Sequence, residues 1–128
     1  MGERYGKGSW AVVTGASDGL GKLYALELAR EGLNIVVMGR NKERTEAAAK
    51  FISDETGVKT MTLLFDFSKL NTEEDVAELK KLLDTIPENV SVLANNIGRM
   101  VYGTLDKIEA ADINWYININ INATTYMT

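Results

Sequence analysis

Short apolar runs and longer amphipathic segments alternate along the chain. Four runs have the length and composition of strands buried on both faces, and they cover residues 10–14, 34–38, 58–65 and 90–94. Apolar residues at helical spacing mark the segments between them, which are 20–31, 42–55 and the stretch after 72. This alternation predicts an α/β fold, a doubly wound parallel sheet with flanking helices. Right-handed crossovers then give the strand order 3-2-1-4.

Local signals indicate where the helices begin and end. Asn41 is expected to cap the second helical segment and Gly57 to end it. Within that segment, Glu46 and Lys50 have the spacing of a favourable ion pair. The sequence Thr72-Glu73-Glu74-Asp75 is typical of a capping box that opens the next helix.

The final stretch has an ambiguous pattern. Isoleucine and asparagine alternate over residues 117–122, and this period of two predicts a strand. Asparagine is also a poor helix former. The pattern by itself therefore favours a strand.

A glycine-rich turn follows the first apolar run. Gly15, Gly19 and Gly21 have the spacing G-x-x-x-G-x-G directly after Thr14, and a helical pattern begins at Leu20. A strand, a glycine turn and a helix form the geometry that holds a pyrophosphate, because glycine permits close approach and the helix N-terminus offers unpaired N–H groups. The same glycines also suit a strand-to-helix turn with a purely steric need for them.

Polar residues follow the other strands as well. Arg40, Asp66 and Asn95 come after the second, third and fourth apolar runs. Ligands of doubly wound sheets bind beyond the carboxyl ends of the strands. These side chains, with Thr14 and Gly15, are therefore expected to converge on one crevice.

The residue types at these ends favour a particular cofactor chemistry. Sites that prefer NAD usually carry a carboxylate about 20 residues after the glycines, whereas Arg40 offers a guanidinium that suits the 2′-phosphate of NADP. Asp66 is placed to accept a hydrogen bond from the adenine amino group, and Asn95 with Asn96 to hold the nicotinamide side. The alternatives are a solvated surface arginine for Arg40 and ordinary turn residues for the others.

The composition excludes several function classes. The 128 residues suffice for one domain with a core. Without cysteine or histidine there is no thiol nucleophile, disulfide or Ser-His-Asp centre, and no metal site is predicted. A net charge of −4 gives no basic face for nucleic acid. The apolar runs are strand-sized, so no membrane span is expected in this chain.

Two motifs resemble those of the short-chain dehydrogenase/reductases. Thr14-Gly15-x-x-x-Gly19-x-Gly21 is similar to their cofactor motif, and Asn95-Asn96-Ile97-Gly98 is similar to their Asn-Asn-Ala-Gly motif, with isoleucine for alanine. The surrounding sequence, including Gly39-Arg40-Asn41 and Asp66-Phe67-Ser68, is similar to the microsomal β-ketoacyl-CoA reductases and related 17β-hydroxysteroid dehydrogenases. The resemblance runs from about Tyr5 to the last residue.

The resemblance implies a Rossmann-type fold that binds NADPH or NADP. The cofactor-binding residues that it implies or the strand-end argument selects are Thr14, Gly15, Ser17, Asp18, Gly19, Leu20, Gly21, Arg40, Asp66, Asn95 and Gly98. Some NADP-preferring members carry a basic residue where Asp18 stands, which leaves Arg40 and Lys22 to recognise the phosphate.

The resemblance also has implications for the reaction. The implied substrate is a 3-ketoacyl-CoA of very-long-chain fatty acid elongation, or a related steroid or ketone. Residues 117–128 are implied to be helical, against their local pattern, and Asn120 to be the catalytic asparagine that holds a water in a proton relay. The implied location is the endoplasmic reticulum, with the cytoplasm as the alternative because no anchor is present, and an oligomer is possible.

The family's catalytic serine and its Tyr-x-x-x-Lys pair would lie beyond Thr128. None of the five tyrosines is followed four residues later by lysine. Residues 1–128 are therefore expected to be the N-terminal dinucleotide-binding part of one domain, with strands 1–4 present, the catalytic C-terminal part absent, and no activity alone. The alternatives are a non-enzymatic nucleotide-binding module and a truncated product without function.

Overall fold

A computed structural model of the chain describes residues 2–128. Its sheet has four parallel strands in the order β3-β2-β1-β4. The strands are β1 (Trp10–Thr14), β2 (Asn34–Gly39), β3 (Thr60–Leu64) and β4 (Val90–Ala94). The predicted fold class and strand order are confirmed. β3 is shorter than the apolar run at 58–65, because Val58 and Phe65 flank the ladder that pairs Thr60–Leu64 with β2.

Six α-helices accompany the sheet in the described part of the chain. They are α1 (Gly2–Tyr5), α2 (Gly19–Arg30), α3 (Lys42–Thr56), α4 (Glu73–Leu83), α5 (Ala110–Ile117) and α6 (Ala123–Met127). Short 3₁₀ turns lie at Phe67–Lys69 and Leu105–Lys107, and a π-helical segment, Asn118–Asn122, joins α5 to α6. None of the helices in residues 2–128 is long and apolar enough to cross a membrane.

The sheet has an apolar layer on each face. Alternate residues of the central strand β1 point to opposite sides, so that Ala11 and Val13 join a cluster with α2 and α3. Trp10 and Val12 join a second cluster with Leu79 of α4 and the segment that ends in α6. Burial on both faces explains why the strands are continuous apolar runs rather than alternating ones.

The helix ends follow the local signals. The side chain of Asn41 accepts a hydrogen bond from the Arg44 N–H at 3.0 Å, and Gly57 ends α3 with a φ of 76°. Thr72 and Asp75 form the expected capping box at the start of α4. The expected ion pair between Glu46 and Lys50 is wrong, because Lys50 bonds Asp54 at 2.6 Å, on the next turn of α3.

The final stretch is helical, and the strand that its alternation predicts does not form. The N–H of Ala123 donates to the carbonyl of Asn118, five residues earlier, which is the π-helical pattern. The side-chain amides of two asparagines donate hydrogen bonds to backbone carbonyls in another part of the chain. Asn118 donates to the Ser68 carbonyl, and Asn122 donates to the Leu70 carbonyl. These tertiary bonds offset the low helix propensity of asparagine, so neither the period nor the propensity determined the outcome.

Candidate functional site

The turn between β1 and α2 depends on its glycines. Gly15 and Gly19 have φ values of 65° and 55°, in the left-handed region that favours glycine. A Cβ on Gly21 would overlap the carbonyl oxygen of Gly15 and the side-chain amide of Asn96. The steric reading of this motif is therefore correct for Gly21, which lets α2 pack directly against the turn. It does not exclude a ligand beside the turn.

Asp18 caps helix α2. Its Oδ1 accepts a hydrogen bond from the N–H of Gly19 at 2.7 Å, and the residue is exposed. A carboxylate is favoured there by the helix dipole. Lys22, expected to assist with phosphate recognition, has its ammonium 4.5 Å from the ring centre of Phe51 on α3. In the structure this ammonium is engaged with the neighbouring helix.

The end of β4 is joined to the glycine turn by hydrogen bonds. The buried Thr14 accepts at Oγ1 from the N–H groups of Asn96 at 3.0 Å and Ile97 at 3.1 Å. The Asn96 amide donates to the carbonyls of Thr14 at 3.2 Å and Gly15 at 3.3 Å. Asn96 thus holds this strand end against the turn.

The crevice is lined from the carboxyl ends of all four strands. Its lining residues are Gly15, Ser17, Gly39, Arg40, Phe65, Asp66, Phe67, Ser68, Ile97, Gly98, Arg99 and Ile119. Five residues that the sequence analysis selected lie on this lining: Gly15, Ser17, Arg40, Asp66 and Gly98.

The other selected cofactor residues lie off this lining. Thr14 is buried beneath it, and Asp18, Gly19, Leu20 and Gly21 belong to the turn and first turn of α2. Asn95 also lies off this lining, with its amide donating to Thr128 Oγ1 at 3.1 Å, and its role in cofactor binding stays a prediction. The adjacent Asn96 is not on the lining either, and its amide bonds the carbonyls of Thr14 and Gly15.

The two charged residues of the crevice differ in their surroundings. Asp66 accepts at Oδ1 from the N–H of Ser68 at 3.0 Å and from its hydroxyl at 2.6 Å, so it caps the 3₁₀ turn. Both bonds end on one carboxylate oxygen, and the residue is half-buried. Arg40 is exposed, and no ion pair within residues 2–128 joins it to a carboxylate. Its guanidinium is available to an anion in the crevice.

Asn120 lies behind the β4 side of the crevice. Its Oδ1 accepts from the N–H of Arg99 at 3.1 Å, and its amide donates to the carbonyls of Arg99 at 2.9 Å and Tyr116 at 3.0 Å. This arrangement fixes the loop that follows Gly98. The catalytic role of Asn120 stays a prediction.

Several residues of the crevice lining were not predicted as site residues from the sequence. Phe65 and Phe67 flank Asp66 and pack edge to face, with ring centres 5.0 Å apart. Because they lie at the carboxyl end of β3, beside Asp66, their place on the crevice lining could have been predicted from the sequence. Ile119 and Arg99 reach the crevice through contacts distant in sequence, and the Arg99 guanidinium lies 5.3 Å from the Trp115 ring centre. No local pattern marks these two residues.

The fold and the crevice together define a class of protein. A parallel doubly wound sheet with a glycine turn after its central strand and a crevice across the strand ends is the Rossmann-type architecture. Within residues 2–128 no group of three or more acidic side chains is arranged to hold a metal ion. The chain belongs to the short chain dehydrogenase family, whose family model matches residues 9–128.

Within this family, the chain is similar to curated proteins that share one enzyme name. The very-long-chain 3-oxoacyl-CoA reductase of Aspergillus clavatus is 50% identical over 93 residues, which cover 73% of this chain and 26% of the relative. The protein of the same name from Lodderomyces elongisporus is 42% identical over 132 residues, covering 98% of this chain and 36% of the relative. The chain thus spans about a third or less of the length of these relatives.

Solved structures show the same fold. A short-chain dehydrogenase from Sphingobium yanoikuyae in complex with NADPH is 31% identical, with a TM-score of 0.81, over 93% of this chain and 45% of that one. L-sorbose reductase from Gluconobacter frateurii, complexed with NADPH and L-sorbose, is 25% identical, with a TM-score of 0.83, over 94% of this chain and 45% of that one.

Proposed function

We propose that this chain is the NADPH-binding half of a ketoreductase that acts on 3-ketoacyl-CoA thioesters in very-long-chain fatty acid elongation. The observation that carries the proposal is the meeting of Arg40 and Asp66 in one crevice beside the Gly15 turn. The similarity to very-long-chain 3-oxoacyl-CoA reductases supports the substrate class. The NADPH in two structural relatives supports the cofactor.

The residues present fit a phosphorylated dinucleotide. The backbone at Gly15 lies on the crevice without a side chain, so a pyrophosphate can approach it closely. Arg40 would bind the 2′-phosphate by charge-assisted hydrogen bonds. Asp66 would accept from the adenine amino group with the carboxylate oxygen that Ser68 leaves unused. NADPH, when bound, supplies the hydride for reduction of the carbonyl.

The remaining roles belong to the β4 side. Asn96 and Asn120 would hold the loop around Gly98 in place for the nicotinamide end, through their bonds to Gly15 and Arg99. We further propose that Asn120 serves the proton relay. No Tyr-x-x-x-Lys pair occurs within these 128 residues, and we propose that the proton donor lies outside them.

The location of the protein is proposed from the same similarity. We infer residence at the endoplasmic reticulum, on the names of the curated relatives. An oligomer stays a prediction, as does the proposal that residues 1–128 bind the cofactor without turning over substrate.

Calorimetric titration of the purified chain with NADPH and NADH tests this proposal. We expect saturable NADPH binding that is about tenfold tighter than NADH binding, since charge-assisted hydrogen bonds contribute about 1.5–3 kcal/mol. Arg40→Ala should abolish that preference and leave NADH affinity unchanged. Lys42→Ala, which removes an exposed cation two residues away on α3, is the matched control.

Equal binding of both cofactors by the unmutated chain would contradict the NADPH assignment, and absence of binding would contradict the function. Turnover of a 3-ketoacyl-CoA by this chain would contradict the need for an outside proton donor.

A further inference from the structure

The helical segment after α5 is bonded to the turn that follows β3. Asn118 is 7% exposed, and its amide donates to the Ser68 carbonyl at 2.9 Å. Its Oδ1 accepts from the Asn122 amide at 3.0 Å, and that amide also donates to the Leu70 carbonyl at 2.9 Å. Two asparagines one helical turn apart therefore hold the middle of the 3₁₀ turn at Phe67–Lys69 and Leu70, the residue that follows it.

The residue held by Asn118 is the one that fixes Asp66. Ser68 donates its N–H and its hydroxyl to Asp66 Oδ1, while its carbonyl accepts from Asn118. A continuous set of hydrogen bonds thus runs from the helix through Ser68 to the Asp66 carboxylate. Asp66 and Ser68 both line the crevice, whereas Asn118 does not. Asn118 therefore acts on a ligand indirectly, through the turn at Ser68 or through its neighbour Ile119, which lines the crevice.

The π-helical segment serves both sides of the crevice. Asn118 and Asn122 contact the turn after β3, and Asn120 between them bonds the loop after β4 at Arg99. One short segment thus places the Asp66 turn relative to the loop at Gly98.

We propose that Asn118 is a positioning residue for base recognition, and that it orients the Asp66 carboxylate for the amino group of adenine by holding Ser68. This inference rests on the proposed function, because it requires a nucleotide in the crevice. Without the amide of Asn118, the peptide between Ser68 and Lys69 keeps only the bond from the Lys69 N–H to the Asp66 carbonyl, so the turn that directs the Asp66 carboxylate is less firmly held. The expected consequence is loss of base discrimination, which a general weakening of the fold would not produce.

Two cofactors that differ only in the base provide the test. Deamino-NADPH carries hypoxanthine and lacks the amino group that Asp66 would accept from. We expect the unmutated chain to bind NADPH about tenfold more tightly than deamino-NADPH, in line with a hydrogen bond to a charged group. Asn118→Ala should reduce this ratio to within about twofold, as should Asp66→Ala, which sets the value for complete loss. Thr125→Ala is the matched control, because its hydroxyl is exposed and donates to the Ile121 carbonyl one helical turn earlier.

The outcomes separate this inference from the proposed function. An Asn118→Ala chain that binds both cofactors more weakly by the same factor overturns the positioning role and leaves cofactor binding intact. An unmutated chain that does not distinguish the two cofactors overturns it as well. An unmutated chain that binds neither overturns the proposed function and the inference together.

A measurement on the unmutated chain covers the case in which Asn118→Ala does not fold. The side-chain amide signals of Asn118 should shift in NMR spectra when NADPH is added and shift less with deamino-NADPH. The Thr125 signals should not respond to either. Identical Asn118 shifts with the two cofactors would contradict the coupling.

Discussion

The two sides of the crevice are held together in different ways. On the β1 side, backbone geometry holds the turn: Gly15 has a positive φ, and Gly21 has no side chain to separate α2 from the turn. On the other side, side-chain amides hold the loop and turn, through Asn96, Asn118 and Asn120. The first side therefore depends on residues adjacent in sequence, whereas the second depends on bonds between segments as many as 82 positions apart. The difference indicates which substitutions should be most disruptive.

The largest effect is expected from Gly21→Ala. The added Cβ would meet the backbone of Gly15, which cannot rotate away as a flexible side chain could. Overpacking of this kind costs about 3 kcal/mol. We expect the free energy of unfolding in urea to fall by about that amount and NADPH binding to be lost.

Gly19→Ala separates contact from conformation in the same turn. Gly19 has a positive φ but nothing within 4 Å of the position that a Cβ would take. Its replacement should cost about 1–2 kcal/mol, the penalty for a left-handed residue. If Gly21→Ala were no more destabilising than Gly19→Ala, close packing of α2 would not be what holds this side.

An intermediate effect is expected where the two sides meet, at Thr14→Val. Valine keeps the shape of the buried side chain but removes the oxygen that accepts from the N–H groups of Asn96 and Ile97. Unpaired buried donors cost about 1–3 kcal/mol, so the midpoint of urea unfolding should fall accordingly. Thr14→Ser keeps the hydroxyl and should recover most of the loss. Equal destabilisation by valine and serine would show that the methyl group, not the oxygen, matters.

The same contrast explains what could be predicted from the sequence. The parallel sheet, its order and the glycine turn follow from apolar runs, crossover handedness and glycine conformation, all of which are local or general. The segment at 117–122 could not be read from its pattern, since the partners of its asparagines, Ser68, Leu70 and Arg99, are distant in sequence. For the same reason, the spacing does not show that Asn96 bonds the glycine turn whereas Asn95 bonds Thr128.

The smallest effect is expected at Asp75 of α4, which does not line the crevice. Hydrogen bonds from Thr72, by its N–H and then its hydroxyl, and from the N–H of Asn71 hold the pKa of Asp75 below its usual value of 3.8. Because the pKa of Asp75 is lower in the folded chain than in the unfolded chain, its charged form stabilises the fold at pH values above the unfolded pKa. This stabilisation is lost as the pH falls through the folded pKa. Asp75→Asn should therefore lower the thermal midpoint slightly at pH 7, with the difference disappearing at acid pH.

Glu78→Gln is the control for that change, since it removes an exposed carboxylate from the same helix α4. Neither substitution should alter NADPH affinity, because neither residue lines the crevice. A difference between Asp75→Asn and the unmutated chain that persists unchanged at low pH would contradict the role of the charged form.

An NMR titration of the labelled chain with NADPH tests the central claim most directly, namely that both sides of the crevice bind one cofactor. The account predicts that the backbone signals of Gly15, Ser17, Arg40, Asp66 and Gly98 shift together and saturate at one dissociation constant. Absence of shifts, or shifts confined to the separate groove lined by Met100, Ile113 and Tyr116, would contradict it.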